Sequence, residues 1–172
     1  MKDQGLVSQL WVGFNNNYFA GDSDDDKVRR AAEMLKSVRE AAGASCSGIG
    51  LYNHGDWFGE PENEIAILKV LNDPFYGIIY NFHHAHSQID KFPSLLKDMM
   101  PYLWTVNIDG MKKDGPMILP VGSGTEERSM ISTLIKSGFK GTVGILGHIE
   151  EEDVAVVLKR NLDGLRQVEK GL

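Results

Sequence analysis

At 172 residues the chain is long enough for one domain with a real core, and 42% hydrophobic with 24% charged residues is an ordinary globular balance. A net charge of −6 without any basic patch excludes nucleic acid as a partner, because phosphate binding needs such a patch. The single cysteine, Cys46, excludes an internal disulfide framework and suits a reducing compartment, and a lone cysteine of this kind reads as a small packed residue.

No apolar run approaches the roughly 20 residues of a membrane span. The opening MKDQGLVSQL lacks the apolar centre of a signal peptide. The expectation is a soluble, cytoplasmic protein folded as a single domain over 1–172.

In chain order, LWVGF (10–14) is a short apolar run that breaks into NNNYFAGDSDDD. A helix over 24–42 follows, with Val28, Ala31, Ala32, Leu35 and Val38 at helical spacing and acidic residues in its first turn, where the dipole favours them. SGIGLYNHG (47–55) reads as a second strand. Pro61 opens the next helix, in which Ile65, Ile67, Leu68 and Leu71 leave little polar surface. YGIIYNF (76–82) is the third strand, followed by a short helix from near Pro93. YLWTVNIDG (102–110) is the fourth strand. The Gly-rich PVGSG (120–124) leads into a helix from Thr125, read as its N-cap, to Gly138, read as its stop. GTVGILGH (141–148) is the fifth strand. A last helix from about 151 carries Val154, Val157, Leu158, Leu162 and Leu165 on one stripe.

Strands that alternate with helices predict a parallel sheet with helices outside it. Five βα units suit a doubly wound sheet, whereas a (β/α)₈ barrel takes about 250 residues. The polar residues choose between the two. In a doubly wound sheet function gathers at one switch point, while in a barrel every strand delivers its C-terminal end to one mouth. Here the strands end in Asn15 to Asn17, in Asn53 and His54, in Asn81, His83, His84 and His86, in Asn107 and Asp109, and in His148. Any one of these histidines alone reads as a surface or capping residue. All five lie at strand ends and none lies in a helix, which favours the barrel.

GLYNHGDWFGEPEN (50–63), YNFHHAH (80–86), TVNIDGM (105–111), the long run 118–148 and NLDGL (161–165) resemble the sugar phosphate isomerase/epimerase superfamily, the xylose isomerase-like or AP endonuclease 2-like TIM barrels. The resemblance runs over about 10–165 and matches strands four to eight of that barrel, its C-terminal part. It implies that three units are missing, through truncation of the N-terminal barrel half, or that the open edges are covered in a homo-oligomer, since bare edge strands are sticky.

Members usually hold a divalent metal between Glu, Asp, His and Glu, and the two glutamates move protons at a sugar carbon. Here the first Glu position falls on Tyr52, the Asp on Asn81, the His three residues later on His84, the strand-seven His on Asn107, and the last Glu near Leu146, two residues before His148. Both catalytic glutamates are therefore replaced. Of the family's ligand positions only His84 is kept in type. If His54, His84 and His148 converge they can hold Zn, Mn or Fe, and the alternative is a metal-free polar pocket that hydrogen-bonds a carbohydrate. The resemblance also implies catalytic roles for His84 and His148, and carbohydrate contacts from Asn53, Asn81, His86, Asn107, Asp109 and Trp57. Asp109 is expected to orient a ligating imidazole.

Glu60 stands as a replacement base, against its plainer reading as a helix N-terminal charge. VGSG is too short for a phosphate loop and shapes the rim instead. Within YNFHHAH, Asn81 and His84 are expected to face the mouth, with His83 and His86 on the rim. The implied activity is sugar isomerisation or epimerisation by proton transfer. The alternatives are a non-catalytic carbohydrate-binding relative, with Phe58 or Trp104 joining Trp57 in stacking, and an inactive fragment of a longer enzyme.

Overall fold

The computed structural model describes residues 5–15 and 17–172; Asn16, one of the strand-end asparagines, lies outside them. Five strands run in the order β1-β2-β3-β4-β5: β1 Ser8–Val12, β2 Cys46–Tyr52, β3 Tyr76–Asn81, β4 Leu103–Ile108 and β5 Thr142–Ile145. The pairs β1–β2, β2–β3 and β4–β5 are parallel, with a register shift in the first between Ser8 and Gln9. The order follows the sequence without a reversal, so no switch point exists and the doubly wound alternative is excluded. The helices are α1 Asp24–Ala42, α2 Pro61–Leu71, α3 Phe92–Met99, α4 Glu127–Lys136 and α5 Val154–Lys170. None is long and apolar enough to cross a membrane among the described residues.

The chain divides into two compact units. The first runs to Ile79 and takes in Pro101–Trp104, and the second holds Tyr80–Met100 and Thr105–Leu172.

In the first unit α1 starts where Ser23 accepts the Asp26 N–H at 3.3 Å, with Asp24, Asp25 and Asp26 in the first turn. Its Ala31, Ala32 and Leu35 are buried. Pro61 occupies the first turn of α2, whose end is turned by Asn72 in the left-handed region at φ 43°, its N–H on the Leu68 carbonyl at 2.9 Å. Gly48 and Gly77 leave room for the Trp104 indole, which occupies the space a side chain at either would need. Trp104 is thus half-buried against the backbone of this unit. Phe58, 1% exposed and edge-on to Phe14 at 4.5 Å, is core.

In the second unit α4 begins after Glu126. Thr125, expected as its cap, instead donates its hydroxyl to the Glu126 carboxylate at 3.2 Å, and no side chain caps the helix. Gly138 does stand past the end of α4, at φ +79°. Helix α5 is capped by Asp153, which accepts the Ala155 N–H at 2.9 Å. Its buried side is Val157, Asn161, Gly164 and Val168, not the apolar stripe expected. Val154, Leu158 and Leu162 are exposed, and only Val157 of that stripe is buried. The reason is the segment beneath. The Asn161 amide oxygen accepts the Val121 N–H at 2.9 Å, and the Val121 carbonyl fills the place a side chain at Gly164 would take.

Candidate functional site

The candidate residues sit where their strands end. In the first unit β2 leaves its last residue, Tyr52, for Asn53 and His54 through a tight turn in which the His54 N–H reaches the Tyr52 carbonyl at 2.6 Å. Asn53 is buried and His54 exposed. The Tyr52 ring, half-buried, lies parallel to the His54 imidazole at 6.1 Å and stacks on Trp11 at 5.9 Å. A Trp11–Tyr52–His54 aromatic row therefore stands where the resemblance would put a glutamate. The sequence does not single out Trp11, because a tryptophan inside a short apolar run carries no mark of its face.

Trp57 lies in the 3-10 turn Trp57–Gly59, where its carbonyl accepts from the Asn63 amide at 2.6 Å. The Lys27 ammonium lies 5.3 Å over its ring. Glu60 is exposed at the start of α2, where its backbone carbonyl accepts the Asn63 and Glu64 N–H groups while its side chain makes no cap. One turn on, Glu64 is wholly buried with neither carboxylate oxygen partnered. Burial first, then the Glu60 charge, pushes its carboxyl well above the usual range. Sequence reading misses Glu64, though a signal exists, since it lies on the Pro61, Ile65, Leu68 stripe that α2 buries.

In the second unit β3 ends at Asn81, 1% exposed, whose amide oxygen accepts the His83 N–H at 3.1 Å and so caps the turn Phe82–His84. The His83 and His84 rings are 4.5 Å apart. His83 Nδ1 lies 3.0 Å from the Met117 carbonyl, and His86 Nδ1 lies 3.1 Å from the His83 carbonyl. A carbonyl only accepts, so in both rings Nδ1 carries a proton. His86 Nε2 is buried without a partner. Backbone carbonyls thus hold both rings, His86 through its own turn and His83 through the loop after β4.

At the end of β4 the Asn107 amide lies over Gly144. Asp109 is fully buried with neither oxygen partnered, its carboxyl pushed up to about 7 by burial and then by the charge of Glu127. Glu127, 1% exposed, also escapes sequence reading, because a glutamate in a first helical turn looks like an ordinary dipole charge. His148, after β5, is exposed.

Among the described residues no group of three or more His, Cys, Asp or Glu side chains stands together as a site for a metal ion. The donor chemistry agrees, with Tyr52 stacked and the Asn81 oxygen committed to backbone. The groups available for chemistry at these strand ends are imidazoles, amides and buried carboxyls.

Sequential parallel βα units of this kind form part of a TIM barrel, and solved structures share the fold. The 3-keto-D-glucoside 4-epimerase YcjR from E. coli is similar over 95% of this chain and 63% of its own, at 18% identity and a TM-score of 0.66. An L-ribulose 3-epimerase is similar over 95% of this chain and 63% of its own, at 13% identity and a TM-score of 0.69. The IolI protein with a bound zinc atom is similar over 95% and 62%, at 13% identity and a TM-score of 0.68. The chain thus spans less than two thirds of the length of these structures. No family model and no curated protein matches the sequence.

Proposed function

We propose that the chain serves a sugar isomerase or epimerase that moves a proton next to a carbonyl, using imidazoles where relatives use carboxylates. The observation that carries this reading is the set of strand ends: at β2, β3 and β4 an asparagine stands within two residues of a histidine or aspartate, Asn53 with His54, Asn81 with His83 and Asn107 with Asp109, and His148 follows β5. Amides suit sugar hydroxyls, and a neutral imidazole titrates near the pH at which a proton must be taken and returned.

In the second unit His84 and His148 would be the acid and base, with Asn81, His86, Asn107 and Asp109 holding substrate or neighbours. In the first unit His54, Asn53, Trp57 and Glu60 would serve the same chemistry. The fold alone does not deliver a reaction. The sugar-epimerase names of the similar structures support a carbohydrate as the substrate class.

The test is exchange of solvent deuterium into a panel of ketohexoses and 3-keto-glucosides, followed by proton NMR, with metal content measured on the same sample. Exchange in the wild type that falls by about 10²-fold or more in His84→Ala and in His148→Ala supports the reading, given the usual worth of a general acid or base. Stoichiometric Zn, Mn or Fe, lost in His84→Ala, would bring a metal into it. Binding without exchange in any sugar favours the non-catalytic relative, which the stacking of Tyr52 at a carboxylate position already suits. Neither binding nor exchange overturns both.

A further inference from the structure

Strand β1 is the first in the order of the sheet and pairs with β2 on one side, while no strand among the described residues pairs with its other side. An open strand edge is a template for another strand, and proteins blunt such edges with lysines, prolines or bulges. Here residues 4–21 contain no Lys, Arg, Asp, Glu or Pro, in a chain where 24% of the residues are charged. The register shift between Ser8 and Gln9 leaves Gln9–Val12 paired regularly with β2. Leu6, Val7 and Trp11 are 53%, 60% and 47% exposed.

Charge selects the occupant. At a net charge of −6, two copies of the chain repel each other over most of their surface. The uncharged segment around β1 is where that repulsion is least and where apolar side chains stand uncovered. We propose that β1 is a self-docking edge: two copies of the chain pair their β1 strands antiparallel about a two-fold axis and form a closed dimer.

The chemistry of this edge is self-complementary, as a two-fold contact between identical surfaces requires. Gln9 and Trp11 lie on one face, opposite Gly48 and Gly50 of β2, and the Trp11 Nε1–H donates to the Gln9 amide oxygen at 2.8 Å. With the axis at Leu10, Trp11 of one copy stands across from Gln9 of the other, so that indole donor and amide acceptor meet twice. Leu6 and Val7 add apolar surface ahead of the strand. Strand β1, SQLWV, has no charged side chain, so pairing desolvates none from either copy. The dimer stands whatever reaction the strand ends perform.

The test is sedimentation velocity of the purified chain between roughly 1 and 200 μM, since a dimer obeys mass action. The wild type should reach twice its 19.1 kDa mass. A lysine set into the edge, in Trp11→Lys or in Val7→Lys, should raise the dissociation constant about 30-fold or more, the scale of a central interface residue. Leu158→Lys, on the exposed side of α5, should leave it unchanged. Circular dichroism checks that each variant is folded, and should Trp11→Lys not fold, Val7→Lys decides the matter. A wild type that stays monomeric at every concentration overturns the dimer and leaves the edge to a strand of a further βα unit. Open-ended growth in place of a closed pair overturns it too, as does a dimer that survives the edge lysines or that Leu158→Lys weakens equally.

Discussion

Glu64 shows what a single misplaced charge does to a fold. It sits on the buried side of α2 with both oxygens unpartnered and Glu60 one turn away, so the folded state holds it as the neutral acid. Its folded value lies above the unfolded one, near 4.5, so the folded chain binds the proton more tightly. The stability this contributes is fully present below the unfolded value and is lost as pH rises through the folded one. Glu64→Gln removes that loss. Urea unfolding at pH 5 and at pH 8 should show the variant gaining on the wild type at the higher pH, on the order of 1–3 kcal/mol. Equal pH slopes in the two proteins would mean that Glu64 finds a partner on ionisation. The same scale separates what the sequence tells from what it hides. Histidines and asparagines at strand ends announce themselves because polar groups there have no place in a core. Glu64, Asp109 and Glu127 do not, because their burial depends on chain that arrives from elsewhere in the fold.

Helices and strands are legible wherever local chemistry decides them. The first helix, expected over 24–42, is Asp24–Ala42, because Ser23, the aspartates behind it and the apolar spacing all agree. Strand ends read one to three residues long, since pairing stops at Tyr52, Asn81, Ile108 and Ile145, before the polar residues that follow. Helix α5 is the instructive failure. Its period of apolar residues is real, but Asn161 and Gly164 choose the face: one supplies the bond that the Val121 N–H needs, the other the gap that the Val121 carbonyl needs. Hydrophobicity could not reveal that, because the deciding contact is polar and lies 40 residues away in the chain. Asn161→Ala should therefore cost about 1–3 kcal/mol in chemical denaturation, the usual penalty for orphaning a buried donor. Leu158→Ala, on the exposed stripe, should stay within about 0.5 kcal/mol. A reversed order would restore the apolar stripe as the packed face.

At the scale of the molecule, the barrel is legible from where the polar residues fall, and the sequential strand order is what a barrel requires. The division into two units is not legible, and its form shows why. Strand β3 gives Tyr76–Ile79 to the first unit and Tyr80 and Asn81 to the second, and β4 gives Leu103 and Trp104 to the first and the rest to the second. No composition shift or linker can mark a boundary that passes through the middle of two strands. Neither unit is a continuous piece of chain, and two strands are divided between them. All three tryptophans, Trp11, Trp57 and Trp104, belong to the first unit, whereas helices α3, α4 and α5 belong to the second. Tryptophan fluorescence therefore reports one unit, and helical circular dichroism reports both. In urea the two signals should give a single coincident transition, the mark of one cooperative domain. A fluorescence midpoint clearly apart from the helical one would show that the halves unfold separately, and that the strands they share do not bind them into one folding unit.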